Sequence, residues 1–284
     1  MSEQRETSEA LFDDPAESVE HAIGLALESE QALPLAVITD EELYAYCNSP
    51  EEAAPEGAYF RTLSKEQRQV ASVTAMRVLA AQGWLGNEVD EDGTGTFELP
   101  TTTVAALEMR KLSPQLSLQI RGHIGEAWYV LRHVRDDLFL RETVTPHGFH
   151  AHTLVRLDAA ERDVFVAQHQ LPAGSDGAAP PHVDRTVSLP QVEGASIGTT
   201  STMSFLEDTI LIGTLVRVPE GDGPTTTIIN IQPDGAVILG DLNGESVRYR
   251  GGTVGDVEEI WDSWVPRMHA TLREVDGEAA DARV

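Results

Sequence analysis

Gln115-Leu116-Ser117-Leu118-Gln119-Ile120 alternates polar with apolar side chains one for one, and that period of two decides the fold. Successive strand residues point to opposite faces, so Leu116, Leu118 and Ile120 line an apolar face while Gln115, Ser117 and Gln119 line a polar one. Upstream of this stretch the apolar residues recur at helical spacing. Downstream, three short strands follow at Trp128 to His133, Asp137 to Thr145 and Phe149 to Leu157, with turns at Arg135-Asp136 and Pro146-His147-Gly148. Asp158 then caps a segment from Ala159 to Gln170 whose Val164, Ala167 and Gln168 suit a helix, although Val164, Phe165 and Val166 tolerate a strand.

The same order returns near the C-terminus. Strands are expected at Thr226 to Ile231, Gly235 to Asp241 and Ser246 to Tyr249, the first pair joined through Gln232-Pro233-Asp234-Gly235. A helix over Thr253 to Leu272 follows, with Val257, Ile260, Trp261, Trp264, Met268 and Leu272 in one stripe. Pro266 lies inside it and is expected to kink or split the helix, because proline removes a backbone donor. The chain is thus α+β, an antiparallel sheet built from two similar β-β-β-α units, about 126–170 and 226–270, with a helical N-terminal part packed on it. The match in order implies an internal duplication with pseudo-twofold symmetry within a single domain over 36–284. Phe205 to Val218 adds a strand or helix between the units, and residues 172–184, rich in Pro, Gly and Ser, read as a linker.

Working outward to the N-terminus, the clearest helix opens at Ser64. Its S-x-x-Q spacing to Gln67 is a capping box, and Gly83 is a fitting left-handed stop before Trp84 and Leu85. Val70, Val73, Met76 and Ala80 are expected on its buried face. The loop from Gly86 to Gly95 is acidic and leads to a short strand at Thr96 to Leu99. A further helix over Thr101 to Leu112 turns Val104, Leu107 and Lys111 or Leu112 to one side. Thr39 caps a helix through Asp40, Glu41 and Glu42 into Leu43, Tyr44 and Tyr46, which Pro50 to Gly57 ends as a linker. Val19, Ile23 and Leu27 give a short helix from Pro15 to Leu27.

Charge sets the class of partner. The chain of 284 residues carries 20 Lys and Arg against 47 Asp and Glu, a net −27 that repels phosphate backbones and anionic lipid. Residues 1–60 contain fifteen Asp and Glu and the single base Arg5, contributing −14, so residues 1–35 read as an acidic leader that is partly disordered. No apolar run approaches the roughly 18 residues of a membrane span, and the opening Ser2-Glu3-Gln4-Arg5-Glu6 lacks the order of a signal peptide. With the single cysteine, Cys47, this places the chain in the cytoplasm.

Little in the sequence announces chemistry. His150 and His152 share a strand face and His147 lies in the preceding turn, which makes these three the candidate metal ligands. Asp136-Asp137 and Glu258-Glu259 are adjacent carboxylates whose side chains diverge, so neither is an acid/base pair. No phosphate loop, dinucleotide fingerprint or Gly-x-Ser-x-Gly elbow occurs, Gly251-Gly252 reads as a turn, and Cys47 lies among acids that blunt a thiolate. No catalytic, metal or cofactor-binding residue is assigned and no cofactor is expected. The helix from Ser64, the next helix and the loop between them suggest a winged helix, but its wing from Val89 to Leu99 holds Asp90, Glu91, Asp92 and Glu98 and no base.

The layout resembles the EspG-type cytosolic chaperones of actinobacterial type VII secretion over roughly residues 36–273. Leu79-Ala80-Ala81-Gln82-Gly83-Trp84-Leu85 at the end of the long helix, and Val247 to Gly252 leading to Trp261, carry the likeness. The acidic leader departs from the family's compact start, and no partner-binding residue is carried over. The resemblance implies a chaperone or adaptor that holds a secreted helical protein by its hydrophobic tip. The apolar patch for such a partner is sought at Phe205, Leu206, Ile210, Leu211 and Ile212. The alternatives are a metal-dependent enzyme using His147, His150 and His152, and an acidic winged-helix-type regulator.

Overall fold

In the computed structural model the described residues are 14–29, 31–46, 58–89, 95–171, 180–188, 205–217 and 224–281. The helices are α1 (Pro15–Glu28), α2 (Asp40–Tyr46), α3 (Ala58–Thr62), α4 (Lys65–Ala81), α5 (Thr101–Arg110), α6 (Ala159–Ala167) and α7 (Val254–Asp281). The strands are β1 (Leu33–Thr39), β2 (Leu85–Val89), β3 (Gly95–Phe97), β4 (Pro114–Gly122), β5 (Gly125–Arg135), β6 (Leu138–Val144), β7 (Phe149–Arg156), β8 (Asp184–Ser188), β9 (Leu211–Arg217), β10 (Thr225–Ile231), β11 (Val237–Asn243) and β12 (Ser246–Gly252). Ten of them form one antiparallel sheet in the order β1-β7-β6-β5-β4-β9-β10-β11-β12-β8, and β2 pairs with β3 in a separate hairpin. The β-β-β-α order expected twice is present as β5-β6-β7-α6 and β10-β11-β12-α7. No helix among the described residues is long and apolar enough to cross a membrane.

Contacts divide the chain into two compact units. The first comprises Met1–Ser113, Arg132–Val134 and Phe139–Val155. Here α1 is capped by Asp14, whose Oδ1 accepts from the Ala16 N–H at 2.9 Å, and Ser18, Ala22, Ile23 and Ala26 are buried as α1 packs on α5. Of the stretch read as an acidic leader, residues 1–13 lie outside the described ones, whereas α1 and the start of β1 are packed elements. Thr39 and Glu42 form a reciprocal cap on α2: the Glu42 N–H donates to Thr39 Oγ1 at 3.2 Å and the Thr39 N–H to Glu42 Oε2 at 2.9 Å. The linker Pro50 to Gly57 and Cys47 lie outside the described residues.

α4 has the expected capping box, with the Gln67 N–H donating to Ser64 Oγ and the Ser64 N–H to Gln67 Oε1. It stops at Gly83, whose φ of +78° favours glycine, and the Trp84 N–H closes the end on the Leu79 carbonyl. The expected face of α4 is corrected: Ala75 and Leu79 are the buried residues, and Val70 and Val73 point to solvent. α4 contacts α2 and β2, and the helical side that carries Ala75 and Leu79 is the buried one. In α5 the buried side is likewise Thr101, Thr103, Ala105, Ala106 and Met109, and Val104 and Leu107 are half-buried.

The second unit comprises Pro114–Leu131, Arg135–Leu138 and Arg156–Val284. The alternation of β4 is kept: Leu116, Leu118 and Ile120 are buried and lie opposite Arg217, Leu215 and Gly213 of β9. Asp158 caps α6 by accepting from the Glu161 N–H at 2.9 Å. An aromatic run fills the core, with ring centroids 5.8 Å apart for Tyr129–Phe165, 5.2 Å for Phe165–Trp261 and 5.8 Å for Trp261–Trp264. The expected split at Pro266 does not occur, and α7 runs through it. Trp261 and Trp264 before the proline and Met268 after it are all buried, so packing on both sides outweighs one missing backbone bond. The tail of the expected linker, 183–184, leads into β8, and its residues 172–179 lie outside the described ones.

Candidate functional site

Among the described residues, buried ionisable side chains converge inside the first unit. Leu138, Leu140, Glu142 and Val144 share one parity of β6, so a carboxylate stands in a row of apolar side chains facing the core. On β7, His150 and His152 face the same interior, opposite Ile38 and Ala36 of β1. The turn from β6 to β7 closes with the Gly148 N–H donating to the Thr145 carbonyl. Gly148 has φ +75°, and a Cβ there would stand 2.9 Å from Asp40 Cγ, so glycine gives Asp40 its place. The Asp40 N–H in turn donates to the Gly148 carbonyl at 2.8 Å.

His150 is held from both sides. Its Nε2 lies 2.6 Å from Asp40 Oδ1 and its Nδ1 2.8 Å from Glu142 Oε1. Asp40 Oδ2 also accepts from the Phe60 N–H at 2.7 Å, which ties α3 to the cluster. Glu142 accepts from Arg110 Nε at 2.9 Å and Arg132 Nη1 at 2.7 Å. His152 Nε2 stands 3.6 Å from Glu142 Oε1, beyond hydrogen-bond length, and its ring lies parallel to that of His150 with centroids 6.4 Å apart.

This geometry sets the protons. A neutral imidazole has one N–H, so two carboxylates at two ring nitrogens call for the doubly protonated form. Burial opposes that charge in His150, but the hydrogen bonds to Asp40 and Glu142 outweigh it and raise its pKa above 6.5. Burial likewise opposes the Glu142 anion, and the bond from His150, the approach of His152 and the charge of Arg110 hold it well below the usual carboxylate range. His152 goes the other way. Burial pushes its pKa down, and the neighbouring His150 and Arg110 charges add to that. The pair of histidines therefore carries one positive charge, and His150 bears it.

The expected trio is not brought together, because His147 is exposed on the turn while His150 and His152 are buried. Among the described residues no group of three or more His, Cys, Asp or Glu is placed to hold a metal ion. Asp40, Glu142, Arg110 and Arg132 are the cluster members that sequence reasoning missed. The parity of Glu142 in β6 was a usable signal for one of them. The cluster is buried, and its carboxylates accept from internal donors, so it ties together β5, β6, β7, α2, α3 and α5.

Surfaces offer more. In the second unit an open cleft of about 500 Å³ is lined by Pro181, Val183, Phe205, Asp208, Pro233 and Ile238. Beside it Gly251 touches the Pro181 carbonyl so closely that any Cβ would collide with it. The patch sought at Phe205 to Ile212 divides: Ile210 and Ile212 are exposed, Leu211 is buried, and Phe205 packs on Tyr249 with centroids 5.3 Å apart. In the first unit the outer face of β1 and β7 carries Val37 and Phe149, both exposed. The solvent side of α4 carries Val70, Val73 and Val78 at 67%, 56% and 43% exposure.

No protein-family model matches the sequence, and a search of curated proteins finds no match. Among solved structures the chain is similar to the Mycobacterium tuberculosis type VII secretion system chaperone EspG5 in its complex with the PE25–PPE41 dimer. The identity is 12% and the TM-score 0.39, over 84% of this chain and 96% of that one. A likeness of that size establishes neither a shared fold nor a shared partner.

Proposed function

We propose that this chain is a protein-binding chaperone or adaptor that works in the cytoplasm and holds a secreted helical protein, as in type VII secretion. The observation that supports it best is the solvent side of α4, where three valines stand exposed on one helix of a chain of net −27. Apolar side chains grouped on one exposed face favour a protein surface over a small substrate. The ionisable cluster, by contrast, is buried, and its two carboxylates already accept from internal donors. A net −27 keeps a chaperone with an apolar face soluble and discourages nucleic acid. The layout of helical N-terminal part, two meander-plus-helix segments and a final Trp-bearing helix agrees with the family resemblance.

The test is reconstitution. Proteins retained from the host lysate are identified by mass spectrometry, and each helical secreted candidate is purified and mixed with the pure chain. A complex of fixed stoichiometry in gel filtration and light scattering is expected. If no purified pair associates at micromolar concentration, the reading fails.

A further inference from the structure

We propose that the outward face of α4, formed by Val70, Val73 and Val78 with Arg77 between them, docks an amphipathic partner helix that has an acidic flank. This rests on the protein-binding reading above and assigns its surface and the chemistry of its partner.

The spacing comes first. From Val70, the residues at +3, +7 and +8 are Val73, Arg77 and Val78, which lie on one side of a helix. The opposite side holds Ala75 and Leu79, buried as α4 packs on α2. The outward row therefore has no share in the described core, yet it carries three β-branched residues. Valine is a poorer helix former than alanine because its χ1 freedom is lost against the preceding turn. At an exposed position with no packing gain, that choice disfavours the helix for no benefit within this chain.

Charge then selects the occupant. α4 carries Lys65, Arg68 and Arg77 against Glu66, three bases less one acid, or +2, in a chain of net −27. Of these bases Arg77 stands in the exposed row itself, whereas Arg68 turns to the Leu63 carbonyl and the Phe60 ring. A helix inserting Leu-type side chains along the valines would place its flank over Arg77, where Glu or Asp is attracted and Lys repelled. Nucleic acid fits less well, because valines donate nothing to phosphate and Glu66 opens the helix. The surface is also pre-formed. The capping box at Ser64 and the glycine stop at Gly83 fix both ends of α4, so little order has to be gained on binding.

The probe is a fluorescent synthetic helix of about 20 residues, with Leu at spacings of three and four and Glu on the flanks, followed by anisotropy with the full chain. A peptide with the same Leu pattern and Lys flanks, and a DNA duplex, are titrated alongside. Val70→Ala/Val73→Ala/Val78→Ala keeps a folded chain, with a melting temperature unchanged or raised. It should bind the Glu-flanked peptide about tenfold or more weakly. Arg77→Glu should weaken the Glu-flanked peptide and strengthen the Lys-flanked one. The assignment is overturned if the Glu-flanked peptide does not bind, or binds both variants as it does the wild type. It is overturned too if the duplex binds in preference, if binding appears only once residues 1–13 are removed, or if the valine face instead mediates self-association in sedimentation. A reconstituted natural partner that ignores both variants would remove α4 as the surface and leave the protein-binding reading standing.

Discussion

His150 bridges the two buried carboxylates of the first unit, Asp40 and Glu142, with a hydrogen bond to each. His150→Ala leaves Asp40 and Glu142 facing a void without their shared donor, and removing one member of a buried charge network costs about 3 to 5 kcal/mol. Urea unfolding monitored by fluorescence would measure it, and a loss below about 1 kcal/mol would show that water or side-chain shifts replace the histidine. The pH dependence has two arms. His150 has a raised folded pKa, so its contribution is full below 6.5 and is lost as pH climbs through the folded value. Glu142 has a lowered one, so its contribution is full above 4.5 and is lost as pH falls through the folded value. Imidazole nitrogen NMR should find His150 titrating above 6.5 and His152 below it, and the reverse order would refute the proton assignment. In the second unit His169 is buried neutral, its pKa pushed down to about 4 by burial, with Nδ1 donating to the Phe165 carbonyl at 3.2 Å. A depressed histidine stabilises the fold above 6.5 and loses that contribution as pH falls to about 4, a difference of about 3 kcal/mol. His169→Leu should flatten this acid limb, visible as a smaller fall in melting temperature between neutral and acidic buffer.

Elements owe their legibility to how local their causes are. The capping box of α4, the alternation of β4 and the aromatic stripe of α7 are each set by residues within a few positions of one another, and each could be read from the chain. β1 was not. Pro34 inside Leu33–Thr39 argues against a strand, and its missing donor is tolerated only because β1 is an edge strand with an irregularity between Pro34 and Ala36. The charged cluster was hidden for a different reason, since Asp40 and His150 are 110 positions apart and only the pairing of β1 with β7 joins them. The packing side of α4 was not legible because Val70, Val73 and Val78 outnumber the buried Ala75 and Leu79, and the side that meets the core is set by elements distant in sequence. Gly148 joins a local turn to that distant cluster. Gly148→Ala places a side chain at φ +75° and 2.9 Å from Asp40 Cγ, at a cost of about 1 to 3 kcal/mol. If the turn holds Asp40 against His150, the same variant lowers the His150 pKa as well. A stability loss with the His150 titration unmoved would mean that the turn and the cluster are independent.

The whole molecule is governed by its net charge of −27, which destabilises the compact state through self-repulsion. The shared order of β5-β6-β7-α6 and β10-β11-β12-α7 is the sole basis on which a common origin of the two segments is proposed. Salt separates this diffuse repulsion from the buried cluster. Raising ionic strength from about 0.01 to 0.15 M shortens the screening length from about 30 to 8 Å, which screens repulsion between distant surface acids but is longer than the hydrogen bonds around His150. Buried charges are also poorly reached by ions. The wild-type melting temperature should therefore rise across that range, while the stability difference between wild type and His150→Ala stays the same within error. A cost of the substitution that shrinks with salt would mean that solvent reaches Asp40 and Glu142. A melting temperature that falls would mean that favourable surface ion pairs, such as Arg250 with Asp256 at 2.8 Å, outweigh the excess of like charge.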